Sequence, residues 1–372
     1  MEFALTEEQR AIQDLAQQIF RDQATPKRVA EIEAGSEHID RDLWHHLATA
    51  SLLGAALPEE FGGSNLGLFE LCLVIEEAGR NVAPVPLVPV LLLAALPIAQ
   101  FGSAEQKQAY LPRIASGEAL LTAALVEPAS TDAARPRTTA RRDGSHWRLD
   151  GEKICVPIGQ IAERILVPAR TDDGGVAVFL LDPTAPGVSR EGQWGTNREP
   201  QARLVLSGVR VADGDLLGTP QQGAEIIRWI EERAALGLCA LQLGIAEQAL
   251  RLTAEYTSTR KQFDRAIGSF QGVALRAADG YIDVEAMRSI YWEAAWRLTE
   301  GLPASAEIGA AKWWACMAGH RVVHTAQHLH GGIGADVEYP IHRYFLWAKQ
   351  VELLLGGANK QLARLGAALQ TI

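Results

Sequence analysis

Tyr256-Thr257-Ser258-Thr259-Arg260-Lys261-Gln262-Phe263-Asp264-Arg265-Ala266-Ile267-Gly268-Ser269-Phe270-Gln271 is the stretch on which the reading of this chain turns. The residues before it, 234–255, are rich in Ala and Leu and almost free of helix breakers, which predicts a long buried helix. The quoted residues then occupy a helix end and the turn that follows. They set a guanidinium (Arg260), an amide (Gln262) and an aromatic ring (Phe263) close together. A guanidinium offers a fixed fork of donors that matches a pyrophosphate. The bland reading is a solvated Arg/Lys turn between two helices, and the length of the pattern speaks against it.

Downstream, segments 270–300 and 304–330 are helical again, so residues 219–372 read as a C-terminal four-helix bundle domain. That region also holds His328-Leu329-His330-Gly331-Gly332-Ile333-Gly334, Glu338-Tyr339-Pro340 and Leu355-Gly356-Gly357. Paired glycines let backbone N–H groups come close to an anion. A Gly-Gly-x-Gly alone is only a turn; its weight comes from standing downstream of the arginine stretch.

Upstream, residues 1–120 read as an N-terminal helical domain. Thr6-Glu7-Glu8-Gln9 and Ser103-Ala104-Glu105-Gln106 are capping boxes. Ile12, Leu15, Ile19 and Phe20 follow the first at helical spacing, and the helix after the second is expected to stop near Pro112. Residues 121–218 change period. Trp147-Arg148-Leu149, Ile165-Leu166-Val167, Val176 through Leu181, and Arg203-Leu204-Val205-Leu206 are β-rich runs. Asp143-Gly144, Asp150-Gly151, Asp173-Gly174-Gly175 and Ser207-Gly208 separate them as turn signals. The expected fold is mainly α with a β middle domain (α+β), the latter an antiparallel sheet or barrel.

A net charge of −10 argues against nucleic acid or an anionic membrane as general partners, because phosphates need a basic face. The most apolar stretch, residues 85–98, is broken by Pro86, Pro89 and Pro97 and is too short for a bilayer, which takes roughly 20 residues. Met1-Glu2-Phe3 does not open a secretory signal. Cys72, Cys155, Cys239 and Cys316 form no CxxC pair and read as reduced, mostly buried thiols of a cytoplasmic protein. His320, His324 and His328 recur along one helix face, but no carboxylate or cysteine joins them at ligand spacing, so no metal site is expected.

The quoted stretch resembles the most specific motif of the acyl-CoA dehydrogenases, Y-x-x-x-R-x-Q-F-G-x-P-I-x-x-F-Q, and His328 through Pro340 resembles that family's second glycine motif. The resemblance implies FAD as cofactor, an acyl-CoA substrate, α,β-desaturation of the thioester, and electron-transfer flavoprotein as acceptor. It also implies that Arg260, Gln262, Phe263, Ile267, Gln271, His328, Gly331 and Gly332 contact the FAD of a neighbouring subunit. The family usually has a glutamine near His328; here Gln327 is one place off.

Three departures accompany that agreement. Where the family carries Glu-Gly-Thr, with the glutamate as base, this chain has Leu355-Gly356-Gly357. The T-E-P-x-A-G-S-D loop is Val126-Glu127-Pro128-Ala129-Ser130-Thr131-Asp132. The K-x-W-I-T-N strand is Lys153-Ile154-Cys155-Val156-Pro157-Ile158. By the resemblance, the residues used on the chain's own flavin are lost and those used on the neighbour's are kept. His342 through Lys349 is similar to chains of actinobacterial steroid side-chain enzymes. This implies a non-catalytic subunit of a heterotetramer, beside a paralogous base-bearing chain, acting on a bulky or steroidal acyl-CoA. Two alternatives stay open: a self-sufficient homotetramer with Glu232 as base, and a flavin-free scaffold on the same fold.

Overall fold

Both capping boxes read from the sequence form. In α1 (Glu7–Gln23), Gln9 N donates to Thr6 Oγ1 at 3.2 Å and Thr6 N donates to the Gln9 side chain at 3.0 Å. The chain continues through α2 (Pro26–Ala34), α3 (Arg41–Thr49), α4 (Leu68–Arg80) and α5 (Leu96–Phe101). In α6 (Ala104–Ala115), Ser103 and Gln106 repeat the reciprocal bonds. This helix passes through Pro112 and ends at Ala115, beyond the expected stop. A proline in the last turn removes one bond there without breaking the turns before it. The computed structural model describes residues 4–130 and 132–369, so Met1-Glu2-Phe3 and Thr131 lie outside the described residues.

The apolar stretch between α4 and α5 is a π-helical segment, Val88–Ala95, buried along its whole length. Among the described residues, no helix is long and apolar enough to cross a membrane.

The middle of the chain forms one sheet from β1 (Leu121–Ala123), β2 (Thr139–Asp143), β3 (His146–Pro157), β4 (Arg164–Thr171), β5 (Val176–Leu181), β6 (Val188–Trp194), β7 (Pro200–Ala212) and β8 (Leu216–Leu217). Its order is β6-β7-β3-β2-β4-β5-β8, with β1 added on β4. Most ladders are antiparallel, as expected; β1 and β2 pair with β4 in parallel. Leu149, Val167, Phe179, Leu204 and Val209 lie in its core, fully buried.

Two of the expected turns are not turns. Asp150-Gly151 and Ser207-Gly208 face each other inside β3 and β7, where the register steps from Leu149↔Val209 to Gly151↔Leu206. Asp150 thus opposes two residues, which is a β-bulge. Gly208 takes φ 59°, and its N–H donates to Asp150 Oδ1 at 2.7 Å. Turns and bulges ask for the same left-handed glycine and the same acceptor side chain, so the sequence signal does not separate them.

After the sheet come α7 (Gly223–Thr259), a two-stranded hairpin of β9 (Lys261–Gln262) and β10 (Arg265–Ala266), α8 (Gln271–Thr299), α9 (Ser305–His330), α10 (Ile341–Leu353) and α11 (Ala358–Leu369). Contacts group the chain into two compact units that cut across its order: residues 1–31, 68–83 and 235–372, and residues 32–67 and 84–234.

Each unit buries charge. In the first, Arg80 bonds Glu76, Glu77 at 3.0 Å and Glu247 at 2.5 Å, while Arg288 donates to Glu247 at 2.7 Å. Three carboxylates therefore meet two guanidiniums. Glu76 and Glu77 are at most 1% exposed, and each keeps one oxygen without a hydrogen-bond partner among the described residues. Burial, opposed by Arg80, pushes Glu77 up to about 7 and raises Glu76 as well. In the second unit, Lys153 Nζ donates to Glu127 Oε1 at 2.6 Å and to Pro168 O at 2.8 Å. Glu127 also accepts from the Arg137 and Thr138 amides and from Thr138 Oγ1 at 2.6 Å. Burial would raise Glu127, but Lys153 and these donors hold it below the usual carboxylate range. Burial pushes Lys153 down to about 8, against the attraction of Glu127.

Candidate functional site

The arginine stretch leaves α7 as a tight hairpin. Gln262 pairs with Arg265 and Lys261 with Ala266, which leaves Phe263 and Asp264 as a two-residue turn. Both take left-handed backbone, at φ 54° and 63°, the requirement of a type I′ hairpin turn. Asp tolerates this conformation; Phe does so at a cost of roughly 1 kcal/mol. The hairpin folds back on its own helix. Ile267 N donates to Arg260 O at 2.8 Å. A Cβ on Gly268 would come within 3.1 Å of Thr257 O. The Arg265 guanidinium covers the Phe270 ring at 4.0 Å.

The result is a display. Phe263 is 88% exposed, Arg260, Gln262 and Gln271 are exposed, and Ile267 is half-buried at the base. The Arg260 guanidinium makes no hydrogen bond or ion pair among the described residues.

The glycine stretch follows α9. Gly331 takes φ 64°, and a Cβ on Gly331 or Gly332 would meet nothing within 4 Å. His328 is exposed. Gln327 is not available on the surface: its amide donates to Gly334 O inside the turn. Rings join the two stretches. Tyr256 stacks on His330 with centroids 4.5 Å apart and planes 21° apart, and Tyr339 lies 5.3 Å from His330. An uncommitted guanidinium beside an open glycine turn fits the pyrophosphate of a dinucleotide.

The turn at Leu355 is well held. Lys312, 1% exposed, donates to Val351 O at 2.9 Å at the end of α10. Gln361, 4% exposed, donates to Leu355 O at 2.9 Å and Gly356 O at 3.1 Å. Leu355 itself is left-handed at φ 58°. The backbone is fixed from both sides, and the side chain it presents has no acid–base chemistry. Glu352 does not replace it: Lys349 Nζ donates to its Oε2 at 2.6 Å, and His320 Nδ1 lies 3.2 Å from it. Burial would raise this carboxyl, but Lys349 and His320 hold it below its ordinary value, which makes it a weaker base. Glu352 is also the carboxylate that the spacing of His320, His324 and His328 did not reveal. In α7, Glu232 is about one-third exposed, with Oε2 3.6 Å from Arg233 Nη1.

The altered loop and strand divide in two. Glu127 and Lys153 belong to the buried pair, whereas Cys155 is exposed at a left-handed bulge, φ 50°, and Pro157 ends β3 opposite Gln201. Cys155 is thus the exception among the cysteines; the other three are buried.

Lys312, Gln361 and the Tyr256–His330–Tyr339 stack were not read from the sequence. A lysine inside the apolar run Ala310-Ala311-Lys312-Trp313-Trp314-Ala315 was a visible signal of a buried charge with a task. Gln361 carried none.

The chain is similar to acyl-CoA dehydrogenase FadE27 of Mycobacterium tuberculosis, 39% identical with 99% of each chain covered, and to FadE28 of the same organism, 34% identical over 92% of this chain and 97% of the relative. Among solved structures it resembles the Tcur3481-Tcur3483 steroid ACAD G363A variant (46% identity, TM-score 0.91, 98% of each chain) and the ChsE4-ChsE5 complex from M. tuberculosis (40% identity, TM-score 0.94, 100% of each). The acyl-CoA dehydrogenase N-terminal, middle and C-terminal domains match residues 6–118, 123–209 and 221–370, and the chain belongs to the acyl-CoA dehydrogenase family.

Proposed function

We propose that this chain is the base-lacking subunit of a heteromeric acyl-CoA dehydrogenase and lends FAD contacts to a paralogous partner. One contrast carries the reading: the turn that stands where the family has its base is held by Lys312 and Gln361 but presents Leu355, while the exposed hairpin carries an Arg260 guanidinium with no hydrogen bond or ion pair among the described residues. When bound, the flavin supplies the hydride acceptor of the reaction. Arg260 would face its pyrophosphate, Gln262, Phe263, Ile267 and Gln271 would flank it, and His328, Gly331 and Gly332 would line the second edge. The partner would supply the carboxylate that removes the α proton. Similarity to a steroid ACAD and to the ChsE4-ChsE5 complex favours a bulky, steroid-derived acyl-CoA and a heterotetramer. Electron-transfer flavoprotein is the acceptor the family resemblance suggests. The domain limits that go with this reading are 1–120, 121–218 and 219–372, in a cytoplasmic protein.

The test is an absorbance spectrum in the flavin bands and an acyl-CoA oxidation assay, on the chain alone and co-expressed with a paralogue. The chain alone should be colourless and inactive, and the complex should hold one FAD per two chains. A chain that alone binds one flavin per protomer and turns over acyl-CoA sinks the proposal. Loss of that turnover in Glu232→Gln, with flavin retained, would then identify a self-sufficient enzyme. A complex that stays colourless would identify a scaffold.

A further inference from the structure

His330 is 3% exposed and lies where the arginine stretch and the glycine stretch touch. Its Nδ1 is 2.8 Å from Ala326 O, one helical turn back. A carbonyl only accepts, so Nδ1 carries the proton and Nε2 is left as an acceptor. Nε2 has no hydrogen-bond partner among the described residues. In that tautomer the ring is neutral, the Ala326 carbonyl fixes its orientation, and its flat face packs on Tyr256.

Tyr256 stands one turn before Arg260, whose N–H donates to Tyr256 O at 2.8 Å. On the other side, Gly331 follows His330 directly, and its N–H donates to His328 O. Tyr339 closes the group, 6.3 Å from Tyr256 and 5.3 Å from His330. A shift of the His330 ring therefore moves the root of the hairpin and the start of the glycine turn together.

We propose that His330 is a positioning residue: its neutral ring, stacked on Tyr256 and flanked by Tyr339, sets the Arg260 hairpin at a fixed distance from the Gly331–Gly332 turn. The proposal rests on the reading that this surface contacts a partner's FAD. It implies that the protonated ring does not hold the same geometry. Protonation would place a charge on a buried Nε2 that has no acceptor. The groups facing the ring are Tyr256 from α7, the Ala326 carbonyl from its own helix, and Tyr339 after the turn. Glu255 lies within electrostatic reach of Tyr339 but is bonded to Arg251 at 2.6 Å. The tyrosine faces attract a cation, and the loss of solvent opposes it. Burial wins, even against the bond to Ala326, and pushes His330 below its ordinary value.

The experiment measures FAD affinity of the co-expressed complex from about pH 8 down to about pH 5, a range that brackets the ordinary histidine value. It also measures hydrogen exchange of the Ile267 amide in the free chain at one pH. Wild-type affinity should fall at least about tenfold towards the acid end, below the ordinary histidine pKa. His330→Phe keeps a flat ring but cannot titrate; it should weaken FAD about threefold and flatten that acid-side loss. His330→Ala removes the stack; it should weaken FAD about tenfold at every pH and speed exchange at Ile267. A His330→Phe complex that keeps the wild-type pH slope overturns the proposal, as does unchanged Ile267 exchange in His330→Ala. Should His330→Ala not fold, the His330→Phe slope decides. Should Arg260→Ala leave FAD binding untouched, the flavin-lending reading fails, and Ile267 exchange still decides whether His330 fixes the hairpin.

Discussion

Glu127–Lys153 and the Arg260 hairpin both stand in motif positions of the same family, and they are opposites. The first pair is buried to at least 97%, and its carboxylate accepts four hydrogen bonds. The hairpin is exposed, its guanidinium is uncommitted among the described residues, and its Phe263 is strained in a left-handed turn. A chain keeps the first kind of residue because removing one partner strands a buried charge. Among the described residues no hydrogen bond or ion pair uses the Arg260 guanidinium, and strained backbone of the kind found at Phe263 clusters at functional sites.

The largest effect expected from this contrast is on stability. Glu127→Ala strands Lys153 in the sheet and should destabilise the chain by about 3–5 kcal/mol, read as a drop in the chemical-denaturation midpoint. A loss below about 1 kcal/mol would mean the pair is not the keystone of β3 and β4 that the geometry makes it.

Glu77 offers an intermediate case, buried yet incompletely satisfied. Its folded value, about 7, lies above the ordinary 4.5. Stability from its proton is present below the unfolded value and is lost as pH rises through about 7. The full loss is roughly 3 kcal/mol. Glu77→Gln mimics the protonated form, so its advantage over the wild type should grow from pH 5 to pH 8. A constant offset across that range would show that Glu77 is already ionised.

The hairpin comes next. Arg260→Ala should leave the stability of the free chain within about 0.5 kcal/mol of wild type and weaken FAD in the complex about 30- to 100-fold, or 2–3 kcal/mol. A destabilised free chain with unchanged FAD binding would reverse the contrast. The smallest effect belongs to Phe263→Gly. Relief of the left-handed strain should stabilise the free chain by about 0.5–1 kcal/mol, while the complex loses FAD affinity by several-fold. Denaturation of the chain and FAD titration of the complex measure the two halves separately.

The helices were legible because capping boxes and apolar spacing are local signals. Thr6–Gln9 and Ser103–Gln106 form as read; the segments 270–300 and 304–330 became α8 and α9 almost to the residue, while α7 starts at Gly223, well before the expected 234. The sheet was legible where strands carry apolar runs, as in β4, β5 and β7, and less so in β2 and β6, which are polar and largely exposed. Asp150-Gly151 and Ser207-Gly208 misled because a bulge and a turn share their residue types. At the site, Arg260 through Gln271 and Gly331-Gly332 announced themselves through motif spacing. Lys312 and Gln361 did not, because each acts on a backbone carbonyl, and every residue has one.

The sequence by itself determined which chemical groups are present and which are missing: a leucine at position 355 cannot take a proton in any fold. It also determined the local shapes, since caps, turns and helical periods act over a few residues. Only the tertiary structure decided which of these groups are satisfied. It paired Glu127 with Lys153, left the Arg260 guanidinium without a partner among the described residues, turned Gln327 inward and His328 outward, and stacked Tyr256 on His330 across the gap between two motifs. Burial and hydrogen bonding depend on residues distant in the chain, and those contacts separate a residue satisfied inside the fold from one left exposed on its surface.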